Sequence, residues 1–203
     1  MNQQSTTHIN LIRHGETDWN VEHRYQGSTD IPLNDLGRKQ VKWLADSMRD
    51  ESWDVIYSSP SMRAFDTAKA VAAAIGIDEE AIIRDRRLME RGYGEAEGLT
   101  LPEREAKWPE GEWPGLESWE EVAERTMKTL HSAVQDNLGK RILIVCHGGV
   151  INAILATISE GEIGTGKTVI DNTSRTTLDV TGDIWTIGDV NNIDHLEALA
   201  AAD

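Results

Sequence analysis

Apolar residues along this chain fall into short continuous runs that alternate with stretches of helical spacing. Ile9 to Ile12 is a brief run that stops at a polar, glycine-containing turn and reads as a strand. The polar loop Gly15 to Leu33 contains Gly27 and Pro32, and a loop of that length points to function. Asn34 suits the N-cap of a first helix whose buried face is Val41, Leu44, Ala45 and Met48. Asp54 to Tyr57 is a second strand, ended by Ser58-Ser59-Pro60. Ala64, Ala68, Val71, Ala72 and Ile75 give the next helix a small-residue face, and Gly76 closes it. Ala81 to Arg84 is a short third strand.

Leu88 to Ser118 has little period and is rich in Gly, Pro, Glu and Trp, which predicts an irregular excursion with one short helix over Leu101 to Lys107. Ser118-Trp119-Glu120-Glu121 reads as a capping box. The helix it opens carries Ala123, Met127, Leu130 and Val134 on one face and ends at Gly139. Arg141 to Cys146 is the clearest buried strand, followed by His147-Gly148-Gly149 and a buried helix from Val150 to Ile158. Thr176 to Val180 and Ile184 to Ile187 flank Thr181-Gly182-Asp183 and predict an antiparallel hairpin. The alanine-rich tail from Glu197 is expected to fray. Strands alternating with helices predict an α/β fold, a three-layer α/β/α sandwich. Its sheet is mostly parallel, with antiparallel pairing near the C-terminus.

Composition narrows the function more than the fold. At 203 residues the chain is expected to form one domain over 1–203, with the 88–118 excursion covering the substrate. A formal charge of −15 argues against nucleic acid, since phosphate-tracking surfaces need basic stripes. A small anionic substrate needs only a local cluster of arginines. Cys146 is the one cysteine, so no internal disulfide forms. Met1 to Thr7 lacks the marks of a signal peptide, and no apolar run approaches membrane-span length, so a cytoplasmic protein with no membrane partner is expected. The oligomeric state is left open, with a homodimer admitted.

Two histidines, His14 and His147, each follow a strand and precede a glycine. On neighbouring parallel strands, both imidazoles would reach the carboxyl edge of the sheet, where ligands bind in open α/β folds. Arg13 brings a cation beside the first, and Arg63, past the second strand, brings another. Such groups suit phosphoryl transfer. Neutral His14 attacks phosphorus, while Arg13, Arg63 and His147 stabilise the non-bridging oxygens. Asn20, Gln26 and the backbone at Gly27 add neutral donors. Glu90 protonates the departing alkoxide and then takes a proton from the water that frees the phosphohistidine. Neither a metal nor a cofactor is required.

Four stretches, in order, carry a family resemblance. They are Arg13-His14-Gly15-Glu16-Thr17 with Trp19-Asn20 and Tyr25-Gln26-Gly27; Ser59-Pro60 with Arg63-Ala64 and Thr67-Ala68; Leu88, Glu90, Gly94 and Glu97-Gly98; and His147-Gly148-Gly149. The chain resembles the histidine phosphatase superfamily, in its phosphoglycerate mutase-like branch, over nearly its whole length. The resemblance implies His14 as the phosphorylated residue, Arg13, Arg63 and His147 as the phosphate pocket, and Glu90 as the proton donor.

Glu90-Arg91 with Tyr93-Gly94 is similar to the cofactor-dependent mutases, in which the Arg and Tyr face a substrate carboxylate; Gly148 completes the expected binding set. Those mutases also carry a longer insertion with paired arginines. Here the corresponding stretch, Trp108 to Gly115, is acidic and has none. Gly149 also looks more like the phosphatases. The resemblance therefore favours a phosphatase of a small phosphorylated metabolite, with mutase-type transfer or a non-catalytic scaffold as the alternatives. Trp108, Trp113 and Trp119 either cover the pocket mouth or anchor the irregular loop.

Other patterns are set aside. Gly161 to Thr168 fits a P-loop by letter, but a helix precedes it and no helical period follows. His14-Gly15-Glu16 resembles the His-x-Glu of zinc deaminases, whose paired-cysteine partner is absent. Asn172-Thr173-Ser174 fits a glycosylation acceptor and carries no weight without a secretion signal.

Overall fold

The computed structural model of the protein describes residues 5–200, with the backbone alone for 198–200. Six strands form one sheet in the order β3-β2-β4-β1-β5-β6: β1 Thr7–Arg13, β2 Val55–Ser58, β3 Ile83–Arg84, β4 Arg141–Cys146, β5 Arg175–Thr181 and β6 Ile184–Ile187. The first four run parallel; β5 pairs antiparallel with β1 and with β6. Seven helices follow in chain order among the described residues: α1 Asp18–Val21, α2 Asp35–Ser47, α3 Met62–Ile75, α4 Leu101–Lys107, α5 Trp119–Asp136, α6 Gly148–Ile158 and α7 Asp194–Ala200.

The layers follow from strand alternation. In β4, Ile142, Ile144 and Cys146 join the core that includes Leu130 of α5 and Ile151 of α6. Leu143 and Val145 point the other way, toward Leu44 of α2 and Ala68 of α3. A strand covered on both faces must be apolar at every position, which is why its sequence shows an unbroken run. The three-layer α/β/α fold thus matches the alternation read from the chain.

Local signals explain the helix starts. Asn34 accepts from the Gly37 N–H at 2.7 Å, and Thr100 and Ser118 form capping boxes with Glu103 and Glu121. Gly76 takes the left-handed conformation that ends α3. Some boundaries differ. The loop from Gly15 to Leu33 holds the one-turn α1, nucleated by a Thr17–Asn20 capping box. α5 ends at Asp136, before Gly139, because Asn137 already leaves helical geometry. The third strand shrinks to two residues after a turn of 3₁₀ helix at Glu79–Ala81. The tail from Glu197 continues in α7 as far as Ala200, and 201–203 lie outside the described residues. The P-loop-like stretch is a series of turns with no helix after it, and Lys167 bonds the Gly161 carbonyl.

One pairing positions the site. β1 and β4 are parallel neighbours in register, Arg13 opposite Cys146. The next residue of each strand is a histidine, so both leave the sheet at the same edge.

Candidate active site

The imidazole centroids of His14 and His147 lie 5.1 Å apart, edge to face. A cavity of about 160 Å³ opens beside them, lined by Arg13, His14, Asn20, Arg24, Tyr25, Gln26, Arg63, Glu90 and Tyr93. A groove of about 530 Å³ between α2 and α3 is larger. Its cations Arg38, Lys42 and Arg49 are already paired with Asp35 and Asp46, and no histidine faces it.

The backbone of His14 is held from three sides. Its N–H donates to Cys146 O at 3.1 Å, and its carbonyl accepts from the Thr173 N–H and from Asn172 Nδ2. The Nδ1 atom lies 2.7 Å from the Gly15 carbonyl, which can only accept. Nδ1 therefore carries the proton and Nε2 keeps a free lone pair. Burial, reinforced by the cations of Arg63 and Arg13, holds the His14 pKa well below the ordinary imidazole value. His147 is fully buried and shifted the same way, by burial and then by Arg63. Its Nε2 lies 2.8 Å from Ser59 Oγ, and its buried Nδ1 has no hydrogen-bond partner among the described residues.

Two arginines, Arg63 fully buried and Arg13 half-buried, face this pair. Arg63 spans the carbonyls of Thr29 and Gly27, each at 3.0 Å. Arg13 donates to Ile170 O. The Nε of each and Gln26 Oε1 are buried without a partner among the described residues. Unpaired buried polar atoms are costly and rare, so a cluster of them beside one cavity marks a place built for a polar ligand. Burial lowers both guanidinium pKa values, opposed by the carboxylate of Glu90, and arginine's high starting value leaves them charged.

Glu90 accepts from the Arg91 N–H at 2.8 Å and from the Gly149 N–H at 3.2 Å. Burial, with Glu90's negative charge beside it, pushes the Tyr93 phenol upward, so it stays protonated. Asn20 lines the cavity, its Oδ1 taken by Thr17.

Other predicted residues are placed differently. Gly27 contributes its carbonyl to Arg63 and not an N–H to the cavity lining. Gly148 packs against Arg13, where a Cβ would lie 3.5 Å from Nε. Arg91 is absent from the lining. It donates through Nε to Glu117 O, stacks on Trp119 at 4.1 Å and lies 5.6 Å from the centre of the Tyr93 ring, because the two aromatic faces hold it against the wall of the excursion. The tryptophans stand behind the wall. Trp113 donates to Tyr93 O, Trp108 stacks on Trp113, and Tyr25 packs on Tyr93.

Several residues escaped the sequence reading. Arg24 lines the cavity while bonded to Glu22, Glu103 and Gly98 O. Arg125 of α5 reaches the carbonyls of Arg87, Met89 and Glu90 and fixes the segment that carries Glu90. Glu97 accepts from the N–H and hydroxyl of both Ser28 and Thr29, and so clamps the loop whose carbonyls hold Arg63. Only the Glu97-Gly98 motif signalled any of these.

Taken together, paired histidines with one buried and one half-buried arginine at the carboxyl edge of a mostly parallel sheet in a three-layer sandwich define a phosphoglycerate mutase-like α/β protein. The chain belongs to the histidine phosphatase superfamily, whose branch 1 model matches residues 9–193. A relative in Bacillus subtilis, named as the uncharacterized phosphatase PhoE, is 37% identical over 95% of this chain and 98% of its own. A metal-independent phosphoserine phosphatase of Arabidopsis thaliana is 33% identical over 97% of this chain and 86% of its own. Among solved structures, YhfR of Bacillus stearothermophilus superposes with a TM-score of 0.84 at 30% identity, covering 94% of this chain and 99% of that one. Relatives named as phosphoglycerate mutases also match.

Proposed function

We propose that the protein is a metal-independent phosphomonoesterase that acts on a small phosphorylated metabolite through a phosphohistidine on His14. The proposal takes residues 1–203 as one domain, with the 88–118 excursion covering the substrate. The observation that carries it is a neutral His14 of fixed tautomer sharing one small cavity with Arg13, Arg63 and Glu90.

His14 Nε2 attacks phosphorus as the ester P–O bond breaks. The two guanidinium groups meet the non-bridging oxygens. The imidazole of His147, 5.1 Å from that of His14 though not itself among the cavity-lining residues, completes the pocket on the same side. Glu90, which takes up a proton as the anionic ester binds beside it, gives that proton to the leaving alkoxide. Water then attacks the phosphohistidine while Glu90 takes a proton back, and His14 and inorganic phosphate are released. The cations required by the transferring group come from the protein's own arginines. A relative named as a metal-independent phosphatase supports the same reading.

Phosphatase is favoured over mutase because the Trp108 to Gly115 stretch is acidic and carries no arginine to hold a second phosphate. The test is hydrolysis of p-nitrophenyl phosphate in EDTA, followed by trapping of the phosphoenzyme. Turnover that survives EDTA, with an acid-labile, base-stable phosphoryl group lost in His14→Ala, is expected. Turnover abolished by EDTA, or retained in His14→Ala, overturns the proposal. Phosphoglycerate isomerisation that depends on added 2,3-bisphosphoglycerate would establish the mutase instead.

A further inference from the structure

Outside the cavity, one buried network runs from the last helix to the nucleophile loop. Thr173 is fully buried and adopts a positive φ of 58°. A β-branched residue rarely takes that conformation, because its Cβ crowds the backbone. Neighbouring contacts must therefore hold it there. Its N–H donates to the carbonyls of Arg13 at 3.1 Å and His14 at 3.3 Å, and Ser174 O accepts from the Arg13 N–H. The turn thus clasps the two residues that present the imidazole.

The hydroxyl of Thr173 donates to Asn172 O at 2.7 Å. Its single proton is spent there, so its 3.0 Å contact with His195 Nε2 requires the ring to be the donor. His195 is itself buried, and its Nδ1 has no hydrogen-bond partner among the described residues. Burial, with the Arg175 cation behind it, pushes the His195 pKa down to about 4, so the ring is neutral with its one proton on Nε2.

We infer that His195, on α7, is a positioning residue for His14: its Nε2–H holds the Thr173 hydroxyl, and the strained Thr173 turn sets the backbone from which the nucleophile is presented. The inference rests on His14 being the nucleophile. Loss of the Nε2–H lets the turn relax and tilts the imidazole away from in-line attack, while the Arg13 guanidinium is kept in place by its own bond to Ile170 O.

The test compares His195→Ala, His195→Gln and Thr173→Val in the full chain. Glutamine places an amide N–H near the position of Nε2. With p-nitrophenyl phosphate, His195→Ala should lose about tenfold in kcat with KM within about twofold, and His195→Gln should recover most of it. Thr173→Val should match the alanine variant, and the double variant should be no worse, since both act through one contact. Histidine-selective NMR reads the same point without turnover. The His14 ring signals should shift or broaden in His195→Ala and return in His195→Gln. Unchanged His14 signals in folded His195→Ala, or losses that are additive with Thr173→Val, would overturn the inference. If the wild type hydrolyses nothing, the proposed function fails while the NMR comparison still decides this point. If the alanine variant does not fold, Thr173→Val and His195→Gln carry it.

Discussion

Replacing Gly149 by alanine should disable the proton donor while leaving the phosphate pocket intact. A Cβ at that position would lie 2.4 Å from Glu90 Oε1 and 3.3 Å from its Cδ. Trp119 Cη2, at 3.5 Å, closes the other side, so the methyl cannot lean away. The carboxylate must retreat by roughly 1 Å to regain ordinary contact, and the 3.2 Å bond from the Gly149 N–H is lost with it. A misplacement of about 1 Å costs on the order of 100-fold, or ~2.7 kcal/mol in the barrier. That is within the contribution expected of a positioned general acid. The assay is kcat on two esters. An alkyl phosphate needs its leaving oxygen protonated, whereas p-nitrophenolate departs unaided. The alkyl ester should lose about 100-fold and the nitrophenyl ester less than about fivefold, and Glu90→Gln should give the same contrast. Equal losses on both esters would show that alanine damaged the phosphate pocket. Unchanged alkyl turnover would show that Glu90 is not the acid.

Glu97→Gln should loosen the 27–29 loop, because an amide N–H now meets donors that had a carboxylate. The expected result is a destabilisation of about 1–3 kcal/mol with a raised KM, as Arg63 loses its anchored carbonyls; a wild-type melting temperature and KM would refute the clamp. The pH response follows from the downward shifts of His14 and His147. Below about pH 6.5 an unfolded chain binds protons at these rings that the folded chain refuses. Stability is therefore full above that pH and falls as pH drops toward the folded values, so thermal midpoints should decline between pH 7 and 5, less steeply in His14→Asn. The acidic limb of kcat/KM should also lie below the ordinary imidazole value, since His14 stays unprotonated there. A limb at or above that value would contradict the buried, cation-flanked ring.

The chain by itself determined what depends on neighbours a few residues away. Strand alternation, helical spacing and caps such as Asn34 and Ser118 are local preferences, and they appear in the structure where the pattern puts them. The ordered motifs around His14, Arg63, Glu90 and His147 were legible for the same reason, being contiguous. Only the tertiary structure decided which groups meet. Pairing of β1 with β4 brings two histidines, more than a hundred positions apart in the chain, to ring centroids 5.1 Å apart. Packing of α5 against the excursion turns Arg91 toward Glu117 and Trp119, and bonds to Gly98 O and Glu103 hold Arg24 on the cavity wall. Ser59, Glu97, Arg125 and His195 gained their parts from partners distant in sequence. Side-chain direction at such places is set by burial and by competition for long-range hydrogen bonds, and neither leaves a period in the sequence.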